Sequence, residues 1–153
     1  MPLTVDLADE VATTRLGTAI AAQLQAGDAV CLTGPLGAGK STLARGLVRA
    51  LTSPDEDVPS PTFTLVQFYE TPDFSLAHFD LYRLAGPDEV EEIGLDEALD
   101  NGAVLIEWPE RLEGRLPADR LDIEIAMAGE GADEHRIARL TPHGAWKGRS
   151  IEF

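Results

Sequence analysis

Ala29-Val30-Cys31-Leu32-Thr33 leads into Gly34-Pro35-Leu36-Gly37-Ala38-Gly39-Lys40-Ser41, and a stretch with Leu43, Leu47 and Leu51 on one face follows. The first piece is short, apolar and bounded by Gly27-Asp28 and Gly34, the mark of a strand buried on both faces and so of a parallel or mixed sheet. The second fits glycine, four residues, glycine, lysine, then serine or threonine. The third predicts a helix over Thr42–Leu51 that leaves the loop directly. Strand, glycine-rich loop and helix in that order bring backbone N–H groups and the positive end of a helix dipole to one point, where an anion is favoured.

The side chains at that point have matching chemistry. Lys40 is a compact ammonium able to reach the β- and γ-phosphates of a nucleotide, and the chain otherwise relies on arginine, with Lys147 its only other lysine. Ser41 supplies a hydroxyl of the kind that ligates Mg2+. The expected nucleotide-binding set is therefore Gly34, Leu36, Gly37, Ala38, Gly39, Lys40, Ser41 and Thr42, with ATP and Mg2+ as ligands. A turn that merely joined strand to helix would need neither the glycines nor the lysine.

A magnesium nucleotide also needs a carboxylate at the end of a neighbouring strand. Asp80 ends Leu76-Ala77-His78-Phe79, and Glu107 ends Val104-Leu105-Ile106. With Lys40 they form the expected catalytic set, and with Ser41 the expected metal set. Asp80, the shorter, suits the metal, and Glu107 suits orienting or deprotonating an attacking water. The habit of exposing carboxylates at strand ends explains either residue alone as well. Thr62, in Ser60-Pro61-Thr62, offers a hydroxyl that closes on the metal or the γ-phosphate as switch segments do, or else belongs to an ordinary turn. Trp108 stacks on a base or a partner, or fills core. Asp88, Glu89, Glu91 and Glu92 read as a solvated helix start.

Outward from the loop, Ala12, Leu16, Ile20 and Leu24 take the four-residue step of one helical face between Asp9 and Gln25. Thr52 to Pro61 reads as an exposed loop. Phe63–Tyr69 and Ser75–Tyr82, joined around Thr71-Pro72-Asp73, predict an antiparallel pair. Short acidic helices are expected at Pro87–Ile93 and Asp96–Asn101, a buried strand at Ala103–Ile106, and a closing hairpin from Leu121–Met127 and His135–Thr141. The expected fold is α/β: a P-loop NTPase-like mixed sheet flanked by helices in a three-layer sandwich, with 1–153 as a single domain.

Composition narrows the partners. The 153 residues are 44% hydrophobic and 25% charged, enough for a packed core. Cys31 is the only cysteine, which excludes an internal disulfide and a cysteine metal cage, and it sits in an apolar run as a small buried hydrophobe. His78, His135 and His143 have no metal-ligand spacing. The net charge of -15 repels phosphate backbones, so direct nucleic-acid binding is not expected, and a phosphate site must overcome the same field locally. No apolar run approaches the roughly 20 residues of a membrane span, and Met1 to Glu10 lacks the order of a signal peptide, so the expectation is a cytoplasmic protein.

Four segments together resemble one family. Gly34 to Ser41, Ser60-Pro61-Thr62-Phe63-Thr64-Leu65-Val66, His78-Phe79-Asp80-Leu81-Tyr82-Arg83-Leu84 and Leu105-Ile106-Glu107-Trp108-Pro109-Glu110 occur in the order and at about the spacing of the bacterial TsaE (YjeE) family. The resemblance implies an ATPase subunit, weakly active alone, that joins TsaD-like and TsaB-like proteins in making the threonylcarbamoyl modification of adenosine 37 in tRNA, with ATP hydrolysis resetting the complex. It also implies that Ser60 to Val66 is a first switch, that Asp80 is the magnesium-linked carboxylate of a second, and that Glu107 and Trp108 are an acidic-aromatic pair near nucleotide and partner. The chain departs from the family pattern at Pro35, where aspartate is usual, and at Ser41, where threonine is usual. Serine keeps the hydroxyl, whereas Pro35 has no N–H to offer. The alternative reading is a small-molecule kinase, although neither an acceptor pocket nor an arginine-bearing lid is evident. A GTPase switch typically carries an Asn-Lys-x-Asp run, which this chain lacks.

Overall fold

The computed structural model describes residues 3–35, 37–59, 66–82, 94–112, 114–129, 131 and 134–151. Chain order is β1 (Leu3–Leu7), α1 (Glu10–Ala21), β2 (Ala29–Thr33), α2 (Lys40–Leu51), β3 (Val66–Glu70), β4 (Ser75–Asp80), α3 (Leu95–Asn101), β5 (Gly102–Glu107), β6 (Arg120–Ala128) and β7 (His135–Pro142), with 3-10 turns at Pro109–Leu112 and Gly144–Gly148. The expected helix at Pro87–Ile93, the switch segment Ser60 to Leu65, Leu36 and the Arg83-Leu84 end of the third motif lie outside the described residues.

All seven strands share one sheet in the order β1-β7-β6-β2-β5-β4-β3. The inner four, β6, β2, β5 and β4, run parallel, and β1, β7 and β3 pair antiparallel at the margins. The inner strands β2 and β5 are apolar up to their last residues, Thr33 and Glu107, because both of their faces are covered. One face packs Val30, Leu32 and Leu105 against Leu16, Ile20, Leu43 and Leu47 of α1 and α2. The other packs Ala29, Cys31, Phe79 and Ile106 against Leu95 and Leu112. Helices on both faces of a mixed sheet make the three-layer α/β arrangement that the strand-loop-helix reading anticipates.

Local chemistry explains the boundaries of the helices that frame the loop. The Asp9 side chain accepts the Ala12 N–H at 2.9 Å and caps α1. Gly39 precedes α2 with φ 107°, a left-handed geometry that favours glycine, and provides no side-chain cap. The two helices touch backbone to backbone: a Cβ added to Gly46 would stand 2.7 Å from the Thr14 carbonyl oxygen.

Several boundaries differ from the sequence reading. Helix α2 begins at Lys40 rather than Thr42, because the loop lysine and serine already have helical backbone. Strand β4 stops at Asp80 rather than Tyr82, where the Leu81 N–H turns to the Glu107 carbonyl. Strand β1 was not anticipated: only Leu7 of its five residues is buried, and its partner β7 lies at the other end of the chain.

Candidate functional site

The carboxyl ends of β2, β4 and β5 converge beside the start of α2, the place where open parallel sheets leave a crevice. A cavity of about 520 Å3 opens there, lined by Gly37, Gly39, Lys40, Ser41, Thr42, Asp80, Glu107 and Trp108. Gly34 and Ala38 belong to the same loop but lie behind its surface, Ala38 fully buried and Gly34 contributing a carbonyl. Pro35 has no N–H, yet its carbonyl accepts the Ala38 N–H at 3.2 Å and closes the loop turn.

Because α2 has no side-chain cap, the first-turn N–H groups that a helix cannot pair internally are left at the cavity. A positive dipole end and these donors favour an anion. The Lys40 ammonium is buried beneath them and donates to the Gly34 carbonyl at 2.7 Å. Burial lowers its pKa from the ordinary 10.5, while Glu107, Glu110 and Asp80 act in the opposite direction. A cation held at that cost in a buried position requires nearby negative charge, and an incoming anion would supply more.

Asp80 and Glu107 are neighbours in register across β4 and β5, and both are buried. Strand alternation turns both toward the α1–α2 face. Asp80 Oδ1 accepts the Tyr82 N–H at 3.0 Å. Glu107 Oε2 lies 2.7 Å from His78 Nε2. No local pattern singles out His78 beyond its place in the third motif, since a lone histidine in a strand has no ligand spacing.

Trp108 is half-buried. It packs on the cluster containing Leu112 and Phe79, yet its ring also covers Lys40, with Nζ 3.7 Å from the ring centroid. Tyr82 leans on it at 4.9 Å between centroids. Its φ of 62° is the one left-handed value outside glycine among the described residues, an uncommon conformation for a bulky side chain. The Trp108 N–H is held by the Leu32 carbonyl at 3.3 Å, which fixes the turn after β5.

Part of the wall was not foreseen. Leu7, Ala8, Asp9 and Thr13 come from the β1–α1 junction, and His135 and Arg136 from β7. Arg136 Nη2 donates to the Gly37 carbonyl at 3.3 Å and so ties β7 to the loop. No local pattern marks these residues, because sheet order alone brings β7 beside the loop. Thr62 and Leu36 lie outside the described residues.

The donor set suits a hard cation beside phosphates. Among the described residues no group of three or more His, Cys, Asp and Glu could hold a metal by itself. One hydroxyl and one or two carboxylates remain, the sparse oxygen set with which Mg2+ binds when phosphates and water fill its other positions. No helix among the described residues is long and apolar enough to cross a membrane.

Comparison with known proteins gives one consistent answer. The family model for the threonylcarbamoyl adenosine biosynthesis protein TsaE matches residues 7–137. The tRNA threonylcarbamoyladenosine biosynthesis protein TsaE of Rickettsia bellii is 36% identical over 135 residues, covering 88% of this chain and 92% of that protein. The TsaE of Streptomyces coelicolor is 41% identical, covering 84% of this chain and 89% of that one. The crystal structure of Bacillus subtilis YdiB superposes with a TM-score of 0.74 at 32% identity, over 94% of this chain and 87% of that one. With a family match across all the described cavity residues and relatives matched along nearly their whole length, this chain belongs to the TsaE family of threonylcarbamoyl adenosine biosynthesis proteins.

Proposed function

We propose that the chain is the ATP-binding and ATP-hydrolysing subunit of a cytoplasmic machinery that installs threonylcarbamoyladenosine at position 37 of tRNA, acting with TsaD-like and TsaB-like partners. The observation that carries the reading is the buried Lys40 ammonium at the uncapped start of α2, with Asp80 and Glu107 in the same cavity. That set combines donors for a triphosphate with carboxylates for a metal and a water.

In this reading the loop amides of residues 37–42 and Lys40 bind the phosphates and offset the repulsion of a chain with net charge -15. Ser41 and Asp80 hold Mg2+, which when bound neutralises charge on the phosphates. Glu107 orients the attacking water and accepts its proton. Trp108 covers Lys40 and limits the access of bulk water to the ammonium. Hydrolysis converts ATP and water to ADP and phosphate.

The test is phosphate release by the protein alone and with the TsaD-like and TsaB-like proteins of the same organism. Slow release alone and strong stimulation by the pair is the expected result. Labelled γ-phosphate appearing on a metabolite, with no free phosphate, would replace this reading by a small-molecule kinase.

A further inference from the structure

His78 is an expensive residue for its position. Its side chain is 3% exposed, in the middle of β4 and on the sheet face that packs Leu76 and Leu105 against α1 and α2 and carries Asp80 and Glu107 at its carboxyl end. A buried imidazole is stabilised only through its hydrogen bonds, and here Nδ1 is buried with no partner among the described residues. A leucine or phenylalanine would pack there without that cost. Nε2, by contrast, makes a 2.7 Å contact with Glu107 Oε2.

The geometry points to His78 as a positioning residue that holds the Glu107 carboxylate in the orientation needed for the hydrolytic step; this rests on the ATPase reading above. His78 pairs with Leu105 in register, so Glu107 stands one alternation further along β5 on the same face and reaches back diagonally to Nε2. A glutamate has three side-chain torsions and would otherwise be free to swing within a cavity of about 520 Å3. One short bond to a ring fixed in a strand removes most of that freedom. A carboxylate oxygen accepts, so the short bond calls for a hydrogen on Nε2, while Nδ1 has no partner among the described residues. The groups that hold the anion are bonded elsewhere: Lys40 to the Gly34 carbonyl and the loop by its own turn. His78 therefore acts on the step that Glu107 performs and not on nucleotide affinity.

Two substitutions of similar size separate this role from packing. His78→Leu fills the space without a donor, and His78→Gln returns an N–H close to the Nε2 position. In the full chain with its TsaD-like and TsaB-like partners, His78→Leu is expected to lower kcat for ATP hydrolysis by about 10–100-fold. The KM, and the affinity for Mg2+ with a non-hydrolysable ATP analogue, are expected to stay unchanged, and His78→Gln to recover most of the rate. Equal behaviour of the two variants would overturn the proposal, as would a loss confined to affinity. Nitrogen-15 NMR of the free protein is independent of nucleotide and is expected to show the Nε2–H tautomer for His78. A ring protonated on Nδ1 alone, with Nε2 bare, would overturn it. If the wild-type complex bound no ATP, the ATPase reading would fall and the hydrolytic role with it, while the NMR signal would still report on the hydrogen bond.

Discussion

Lys40 is the buried cation of a cavity that also holds the buried Asp80 and Glu107. Lys40→Ala removes the charge that phosphates would meet and leaves both carboxylates without it. ATP binding is expected to weaken about 10–100-fold, the equivalent of roughly 1.5–3 kcal/mol of charge-assisted bonding. Titration calorimetry checks this, with circular dichroism to establish that the variant is folded; unchanged affinity would remove the loop from the mechanism. Cys31 presents the opposite case, a group with no role at the site. Burial, with Asp122 adding and Arg120 opposing, pushes its thiol from 9.0 to about 12. The folded state thus disfavours the thiolate. Its contribution to stability is complete below the unfolded value of 9.0 and is lost as pH rises through the window up to about 12. The native protein is expected to resist a thiol reagent at mildly alkaline pH and to react only as fast as it unfolds, which a time course with and without denaturant measures. Rapid labelling of all molecules without denaturant would contradict the burial.

At the scale of elements, α2 decides where the site stands, because it begins at Lys40 and is pressed against α1. Gly46 and Gly17 permit that approach. A side chain on Gly46 would meet the Thr14 carbonyl, and one on Gly17 the Leu43 carbonyl, both rigid backbone atoms. Gly46→Ala is expected to cost about 1–3 kcal/mol by forcing the helices apart, measured as a shift in urea midpoint. The same displacement moves the amino end of α2 relative to β4 and β5, so ATP affinity should fall together with stability. A fully stable variant would show that the helix pair has slack the structure does not suggest. Strand β5 is the second element that matters, since its final residue Glu107 and the following left-handed Trp108 reach the cavity from one turn.

For the whole molecule, 27 acidic residues against 12 basic ones set the long-range field. In the function proposed above the loop offsets that field locally with backbone donors and one ammonium, whereas an extended phosphate backbone would meet the excess of acidic residues. The free protein is therefore expected to retain no tRNA in a filter-binding assay at physiological salt, and any tRNA contact in the assembled machinery would come from the partners. Salt-sensitive, micromolar or tighter tRNA binding by the isolated chain would show that a basic surface has been overlooked.

The strand over Ala29–Thr33, the loop and the helix after it were legible because each is encoded within a few neighbouring residues: an apolar run, a glycine pattern and a four-residue apolar step. Asp80 and Glu107 were legible as a pair of carboxylates ending apolar strands for the same reason. What no local pattern carries is who lies beside whom. Strand β1, with one buried residue, acquires its place only by pairing with β7. The cavity wall from Asp9 and Arg136, the ring of Trp108 over Lys40, and the bond from His78 to Glu107 across 29 positions of sequence all depend on sheet order and on which face a side chain takes. By itself the sequence determined the glycine-rich loop between strand and helix, the two carboxylates at strand ends and the α/β class, because these follow from short-range periodicity and residue chemistry. Only the tertiary structure decided what surrounds them, because contacts between distant segments are selected by the packing of the whole core.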